Sequence, residues 1–184
     1  MHHGLRLTSL PALVIAVIGI LSLAPITRAS GSVLPRNVIV SIDEVNRFFP
    51  EVTQELSTGP NLTAVGKPKA TRSVIYANSD GSKKVTITVD QYKTASHALS
   101  AYHEAVQKSR MVPGFRPIPA PDFGPHAFIG TVTQGMETHI GLGALYGTLI
   151  VGVTLVGYEP TPDNIAKLIS LTRSEEATAQ AAIF

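Results

Sequence analysis

The feature that most restricts the fold of this 184-residue chain is a strand-length run near its C-terminus, Leu149–Val156. Leucine, isoleucine and valine stand at both odd and even positions of this run. Because successive side chains of a strand point to opposite faces, both faces of this strand are apolar. A strand of this kind is central in its sheet and covered on both sides. The sequence therefore predicts a sheet with helices packed on it.

Three helices are predicted from local capping signals. Ser41 and Glu44 form a capping box at the start of a short helix that ends before Pro50. Thr94 caps a second helix that runs to about Arg110. The third helix begins at Thr161-Pro162-Asp163, where a cap, a proline and an acidic residue follow in the order that a helix start favours.

The strands are predicted from apolar alternation and from turns. Residues 72–78 and 83–92 flank an Asp-Gly turn, which indicates a hairpin. In its second strand, Val85, Ile87 and Val89 alternate with Thr86, Thr88 and Asp90, which predicts one buried and one solvent-facing side. A three-stranded meander is expected at 127–133, 138–145 and 148–158. Residues 51–69 are expected to be irregular, with at most a short strand at Leu62–Val65, and five prolines keep 111–125 extended. The predicted class is α+β, with a largely antiparallel sheet of five or six strands and helices packed on it.

The first 29 residues are predicted to be a secretory signal peptide. His2, His3 and Arg6 precede the apolar run Leu10–Ile26, and small residues follow up to Ala29. The alternative is an uncleaved anchor, although the run is shorter than the ~20 residues of a membrane span. Both interpretations place the rest of the chain outside the cytoplasmic membrane, in the periplasm or cell envelope or secreted. The predicted organisation is a signal peptide at 1–29, a linker at 30–37, one domain at 38–174 and a frayed tail at 175–184.

Charge and cysteine content exclude several classes of protein. From residue 30 onward the chain has thirteen basic and thirteen acidic residues, so no cationic surface for nucleic acid is expected. The chain has no cysteine, which excludes disulfides, thiolate metal sites and a lipidated N-terminal cysteine. We expect no nucleic-acid partner, and a membrane contact only if the N-terminal segment stays uncleaved.

No motif indicates catalysis, a metal or a cofactor. His103-Glu104 begins like a zinc-protease helix, but Gln107 stands where the second histidine would be. The histidines beyond the signal segment are not spaced as a metal site, and no nucleotide-binding loop or nucleophile elbow occurs. Asn61-Leu62-Thr63 matches the N-glycosylation acceptor. We therefore predict a non-enzyme with no catalytic residues, no metal ligands and no cofactor.

The candidate binding residues lie in and just after the proline-rich segment: Phe115, Ile118, Phe123 and Phe128. Apolar groups held among prolines can rim a groove or form a strip that binds a partner. Alternatively, they attach the loop to the core. Our hypothesis divides the roles, with Phe123 as the anchor and Phe115 as the contact residue.

The layout resembles exported actinobacterial envelope proteins, namely LpqN-type lipoproteins and the extracellular sensor domains of mycobacterial receptor kinases. The resemblance extends over residues 38–173. It rests on the capped Ser41–Asn46 helix, the Tyr76–Val89 hairpin, the Ile118–Phe128 segment and the Leu149–Val156 strand followed by a proline-started helix. It implies a Mog1/PsbP-like α/β sandwich that binds and does not catalyse.

The function predicted from the sequence is that of an exported cell-envelope binding protein. Its partner would be a small apolar or amphipathic (lipid-like) ligand or an envelope protein. The alternatives are a structural or assembly accessory of the envelope without a ligand pocket, and a hydrolase-type enzyme with no visible motif.

Overall fold

The computed structural model describes residues 31–119, 123 and 126–184. Within these residues, a sheet combines with three α-helices and a 3-10 turn at Arg36–Val38. The helices are α1 (Ile42–Phe48), α2 (Ala95–Arg110) and α3 (Pro162–Ile183). The strands are β1 (Ser32–Val33), β2 (Gln54–Gly59), β3 (Ala70–Ala77), β4 (Lys84–Gln91), β5 (Arg116–Ile118), β6 (Ala127–Gln134), β7 (Glu137–Tyr146) and β8 (Leu149–Val156). The predicted α+β class is confirmed.

The sheet is open and almost entirely antiparallel. Its order is β1-β3-β4-β8-β7-β6-β5, and β2 also pairs with β3. Only the short pairing of β1 with β3 is parallel among the described strands. β8, the last strand in sequence, lies between β4 and β7, with Val85 opposite Leu155 and Ile140 opposite Leu155. The central position predicted from its two apolar faces is therefore confirmed.

Helices cover both faces of the sheet. The larger core lies under α1, α3 and the 3-10 turn and contains Val85, Ile87 and Leu155, together with Leu168 and Leu171 of α3. On the other face, α2 packs on a smaller cluster. Its members are Tyr92, Ala98, Ala101, Tyr102 and Ile150, with Val106, Phe128 and Leu145 partly buried beside them. Small side chains on α2 allow the helix to lie close to the sheet.

All three predicted helix starts are confirmed. Ser41, Thr94 and Thr161 each accept a hydrogen bond from the backbone N–H three residues later, at 3.2–3.3 Å. The reciprocal half of the first capping box does not form. Glu44 instead accepts a hydrogen bond from the hydroxyl of Ser174, which lies on α3, and pairs with Arg47.

The strand count of five or six was too low. The five strands predicted from the hairpin and the meander are all present: β3, β4, β6, β7 and β8. In the described residues β1, β2 and β5 add three more. These three are short or polar edge strands, and β5 contains Pro117, which an edge tolerates. Leu62–Val65 is not a strand. Edge strands lack the apolar alternation by which the others were recognised.

The structure also changes the expected ends of the domain. Part of the predicted linker belongs to the sheet, since Ser32 and Val33 pair with β3 and Leu34 is buried. The tail predicted to fray continues α3 as far as Ile183, with Glu175 and Ala179 buried. Docking on the core stabilises this last stretch of helix. The predicted signal segment, 1–29, lies outside the described residues.

The second face of the hairpin is not solvent-facing as predicted. Thr86, Thr88 and Asp90 are buried, like the valines and isoleucine between them. Asp90 is closed off by the segment between β2 and β3, whose Asn61 side chain donates to both carboxylate oxygens at 3.0 and 2.9 Å. Alternation along a strand shows which face is polar, but not whether that face is exposed. Another segment can cover a polar face if the buried groups are hydrogen-bonded.

Candidate ligand-binding cleft

A cleft of about 400 Å³ opens between the first half of α2 and the segment that joins β2 to β3. Its volume falls at the lower end of the range for small-molecule sites, about 300–1,000 Å³. One side comes from α2, one from the joining segment, and the base from the residue that follows β4. The lining residues are Gly66, Lys67, Tyr92, Lys93, His97, Ser100, Ala101 and Glu104.

The spacing of the α2 residues explains why they share one side of the cleft. His97, Ser100, Ala101 and Glu104 stand at i, i+3, i+4 and i+7, which places them on one stripe of a helix. Ala101 is buried at the inner edge of this stripe, whereas the other three are exposed. The stripe therefore runs from an apolar edge to a polar rim.

Tyr92, Ala101 and Gly66 form a closely packed apolar base. The Tyr92 hydroxyl donates to the Val65 carbonyl at 2.6 Å, which ties the joining segment to the end of β4. Gly66 has a φ of +69°, and a Cβ at this position would lie 3.5 Å from the Ala101 Cβ and 3.8 Å from the Tyr92 ring. The left-handed conformation favours glycine here. Burial raises the pKa of Tyr92, and the carboxylates of Asp90 and Glu104 act in the same direction, so its hydroxyl stays protonated.

The acidic residue at the rim of the cleft is paired, whereas the two lysines there are not. The Glu104 carboxylate is paired with Lys108 at 2.7 Å, on the same helix. Lys67 and Lys93 are exposed, and neither makes a hydrogen bond or ion pair with any residue that the structure describes. The acidic group of the rim is therefore paired, whereas two lysines that line the cleft have no charged partner among the described residues.

A buried polar pair supports the joining segment close to the base. Asn61 donates to Asp90 through its side chain and to the hydroxyl of Thr71 through its backbone N–H, at 3.0 Å. The carbonyl oxygen of the Asn61 side chain accepts from both the N–H and the hydroxyl of Thr63. Burial raises the pKa of Asp90 to about 7, against the opposing effect of the Asn61 hydrogen bonds. The Asn61 side chain is thus buried within this turn, although Leu62 is exposed, and the Asn61 amide is not accessible for glycosylation in the folded domain.

The cleft contains serine, histidine and glutamate, but not in the arrangement of a hydrolase. A nucleophile must reach its base by a hydrogen bond, and the base must be held by a third group. No hydrogen bond joins His97 to Ser100 or Glu104 among the described residues. His97 and Glu104 are seven residues apart on a helix, about 10 Å along its axis, so one cannot orient the other.

The four residues predicted to bind ligand do not line this cleft. The structure divides them between the two faces of the sheet. Ile118 and Phe123 pack against the larger core, where the Arg173 guanidinium lies 5.4 Å from the Phe123 ring centre. Phe128 packs in the smaller cluster, with its ring centre 6.3 Å from that of Tyr102. All four are half-buried.

Phe115 lies on the same face as Phe128 and covers a glycine. A Cβ placed on Gly130 would come within 2.1 Å of the Phe115 ring, so only glycine permits this contact. The ring thus covers the backbone of β6 from the adjacent edge. Its contact with Gly130 is the physical reason for one of the glycines inside the predicted strands.

The histidines that the structure describes are dispersed over the fold. His97 lines the cleft, His103 and His126 contact the ring of Tyr102, and His139 is buried on β7. Burial lowers the pKa of His139, although Glu137 acts against this shift. Sequence analysis missed Lys67, Tyr92 and Lys93 as site residues because no motif connects them. A glycine between Val65 and Lys67 in an otherwise irregular segment was the one available signal of a close approach.

The comparisons with known proteins support a fold but no family. No family model matches the chain, and no curated protein matches it. Among solved structures, the chain is similar to the extracellular domain of PknH from Mycobacterium tuberculosis, with 14% sequence identity and a TM-score of 0.56. The match covers 76% of this chain and 93% of that domain. The expected resemblance to mycobacterial sensor domains is therefore supported at the level of the fold.

Proposed function

We propose that this chain is an exported, non-catalytic binding domain of the cell envelope and that its cleft beside α2 holds a small amphipathic ligand. The observation that carries this proposal is the cleft itself, with its apolar base and its unpartnered ammonium groups. A concave site with an apolar base and a few polar groups at its rim is typical of small-molecule binding.

One further observation favours this function. The fold is shared with an extracellular domain, in agreement with the apolar segment that precedes residue 30. No helix in the described part of the chain is long and apolar enough to cross a membrane. The cleft favours ligand binding over an accessory role without a pocket, and the separation of His97 from Glu104 favours binding over hydrolysis.

The test is to fill the cleft and measure ligand retention. Ser100→Trp places a large side chain in the cleft, whereas Ser96→Trp places it on the exposed surface of the same helix, outside the lining. The processed protein is isolated from its own envelope fraction, and native mass spectrometry measures any bound small molecule. We expect a retained species with wild type and Ser96→Trp but not with Ser100→Trp.

Export is tested on the same material. N-terminal sequencing should begin near Ser30, and a start at Met1 or His2 would indicate the uncleaved anchor. A ligand that is absent from wild type, or retained equally by Ser100→Trp, would contradict binding in the cleft. A melting-temperature screen with small metabolites gives a second measurement, since a ligand at 100 times its Kd stabilises by about 2.7 kcal/mol.

A further inference from the structure

We propose that the cleft beside α2 selects anionic amphiphiles, that is, a negatively charged headgroup attached to a short apolar tail. This inference rests on the proposed binding function and specifies its ligand class. It follows from the charges that face the cleft, from the groups already neutralised there and from the nature of the base.

The rim favours a negative headgroup. Lys67 and Lys93 both line the cleft, and neither has an acidic partner among the residues that the structure describes. Glu104, the acidic lining residue, is occupied by Lys108 at 2.7 Å. An anion bound in the cleft therefore lies near two lysines that no described carboxylate occupies. Hydrogen bonds from ammonium to carboxylate or phosphate oxygens are charge-assisted and stronger than those between neutral groups.

The N-terminus of α2 adds positive electrostatic potential to that of the two lysines. Lys93 directly precedes Thr94, the residue that caps the helix, His97 lies in the first turn, and this turn has no acidic side chain. The positive end of the helix dipole therefore lies at the same end of the cleft as Lys93. The remaining nearby carboxyl, Asp90, does not line the cleft, and both of its oxygens are bonded to Asn61.

The base favours an apolar tail. The Tyr92 hydroxyl has no hydrogen left to donate to a ligand, because it already donates to the Val65 carbonyl. The Tyr92 ring and the Ala101 methyl group then form the apolar part of the base, beside Gly66, which has no side chain to cover them. A volume of about 400 Å³ limits the tail to a short chain or a small ring. The cleft thus combines a cationic rim with an apolar base.

The experiment compares three probes that share one tail and differ in headgroup charge: octanoate, octanol and octylammonium. Each is titrated into the ¹⁵N-labelled processed protein, and amide shifts are followed at Gly66, Lys93 and His97. We expect saturable shifts with octanoate that weaken as salt is raised, and markedly weaker binding of the other two probes. Lys67→Gln/Lys93→Gln should weaken octanoate binding about fivefold or more. The control is Lys69→Gln, an exposed lysine of the same segment that does not line the cleft.

The outcomes separate this inference from the proposed function. If octanol or octylammonium shifts the same amides with equal affinity, the cleft binds ligands but does not select anions, and the inference is overturned. Unchanged octanoate affinity in the double lysine variant overturns it as well. If no probe shifts the cleft amides, the assignment of the cleft as the binding site fails together with its selectivity.

Discussion

The buried carboxyl group of Glu175 should make this domain lose stability as the pH rises. The side chain is fully buried on α3, where Oε2 accepts from the Val40 N–H at 2.9 Å and Oε1 has no partner in the described residues. Burial raises the pKa of Glu175 from 4.5 to about 8, against the opposing effects of the Val40 hydrogen bond and the Arg36 charge. The group is therefore protonated in the folded domain at neutral pH.

The sign follows from the protons bound in each state. Below pH 4.5 the carboxyl is protonated in both the folded and the unfolded chain. Between pH 4.5 and about 8 the folded chain keeps this proton and the unfolded chain has lost it, so the free energy of unfolding falls with pH. The difference between the folded and unfolded pKa values of Glu175, at 1.36 kcal/mol per pKa unit, lowers the free energy of unfolding by on the order of 5 kcal/mol over this pH range. Between about pH 5.5 and 7 the Glu175 contribution to this slope should approach about 1.4 kcal/mol per pH unit, and Asp90, whose pKa burial raises to about 7, adds a slope of the same sign.

Glu175→Gln removes the titration and keeps an oxygen that can accept from Val40. Guanidinium unfolding of wild type and variant at pH 5, 7, 8 and 9 measures the difference in unfolding free energy at each pH. We expect the two proteins to agree within about 1 kcal/mol at pH 5. At pH 9 the variant should be the more stable by several kcal/mol. Glu159→Gln, which removes an exposed carboxylate, is the matched control and should follow wild type at every pH.

The reasoning would be refuted if the free energies of unfolding of wild type and Glu175→Gln differed by the same amount at every pH from 5 to 9. Such a result would mean that Glu175 is already ionised in the folded domain, with water or a nearby cation reaching it. A variant less stable than wild type at pH 9 would refute it equally, because the carboxylate would then be a stabilising partner of Val40 and Arg36.

Four further predictions follow from the described contacts. Asp90→Asn should reduce the fall in melting temperature between pH 4 and 7, since burial raises the Asp90 pKa from 3.8 to about 7; an equal fall in both proteins would contradict this. Phe115→Ala and Phe123→Ala should each lower the free energy of unfolding by about 1–3 kcal/mol, which is less than the loss expected for a fully buried phenylalanine. Unchanged denaturation midpoints would show that the two rings do not contribute to packing. Gly130→Ala should destabilise wild type but much less the Phe115→Ala background, which a double-mutant cycle measures. A chelator should leave the melting temperature unchanged, and a drop of several degrees would reveal a structural metal.

Local chemistry made the main elements predictable. Ser41, Thr94 and Thr161 act on backbone groups within one turn of helix, so neighbouring residues suffice to recognise them. The hairpin turn is equally local. The two apolar faces of β8 also indicate its central position, because a strand that is apolar on both faces must be covered on both sides. From these elements the α+β class and five of the strands could be inferred without the structure.

Tertiary structure alone decided which polar groups are buried and where the cleft lies. Asp90 meets Asn61 across 29 residues, and Glu175 meets Val40 across 135. In the sequence both acids look like solvent-exposed residues, one on a polar strand face and the other in a charged tail. The cleft likewise joins Lys67, Lys93 and α2, which no spacing rule connects. The physical reason is that a side chain's burial and pKa depend on what packs against it, and here those partners come from distant parts of the chain.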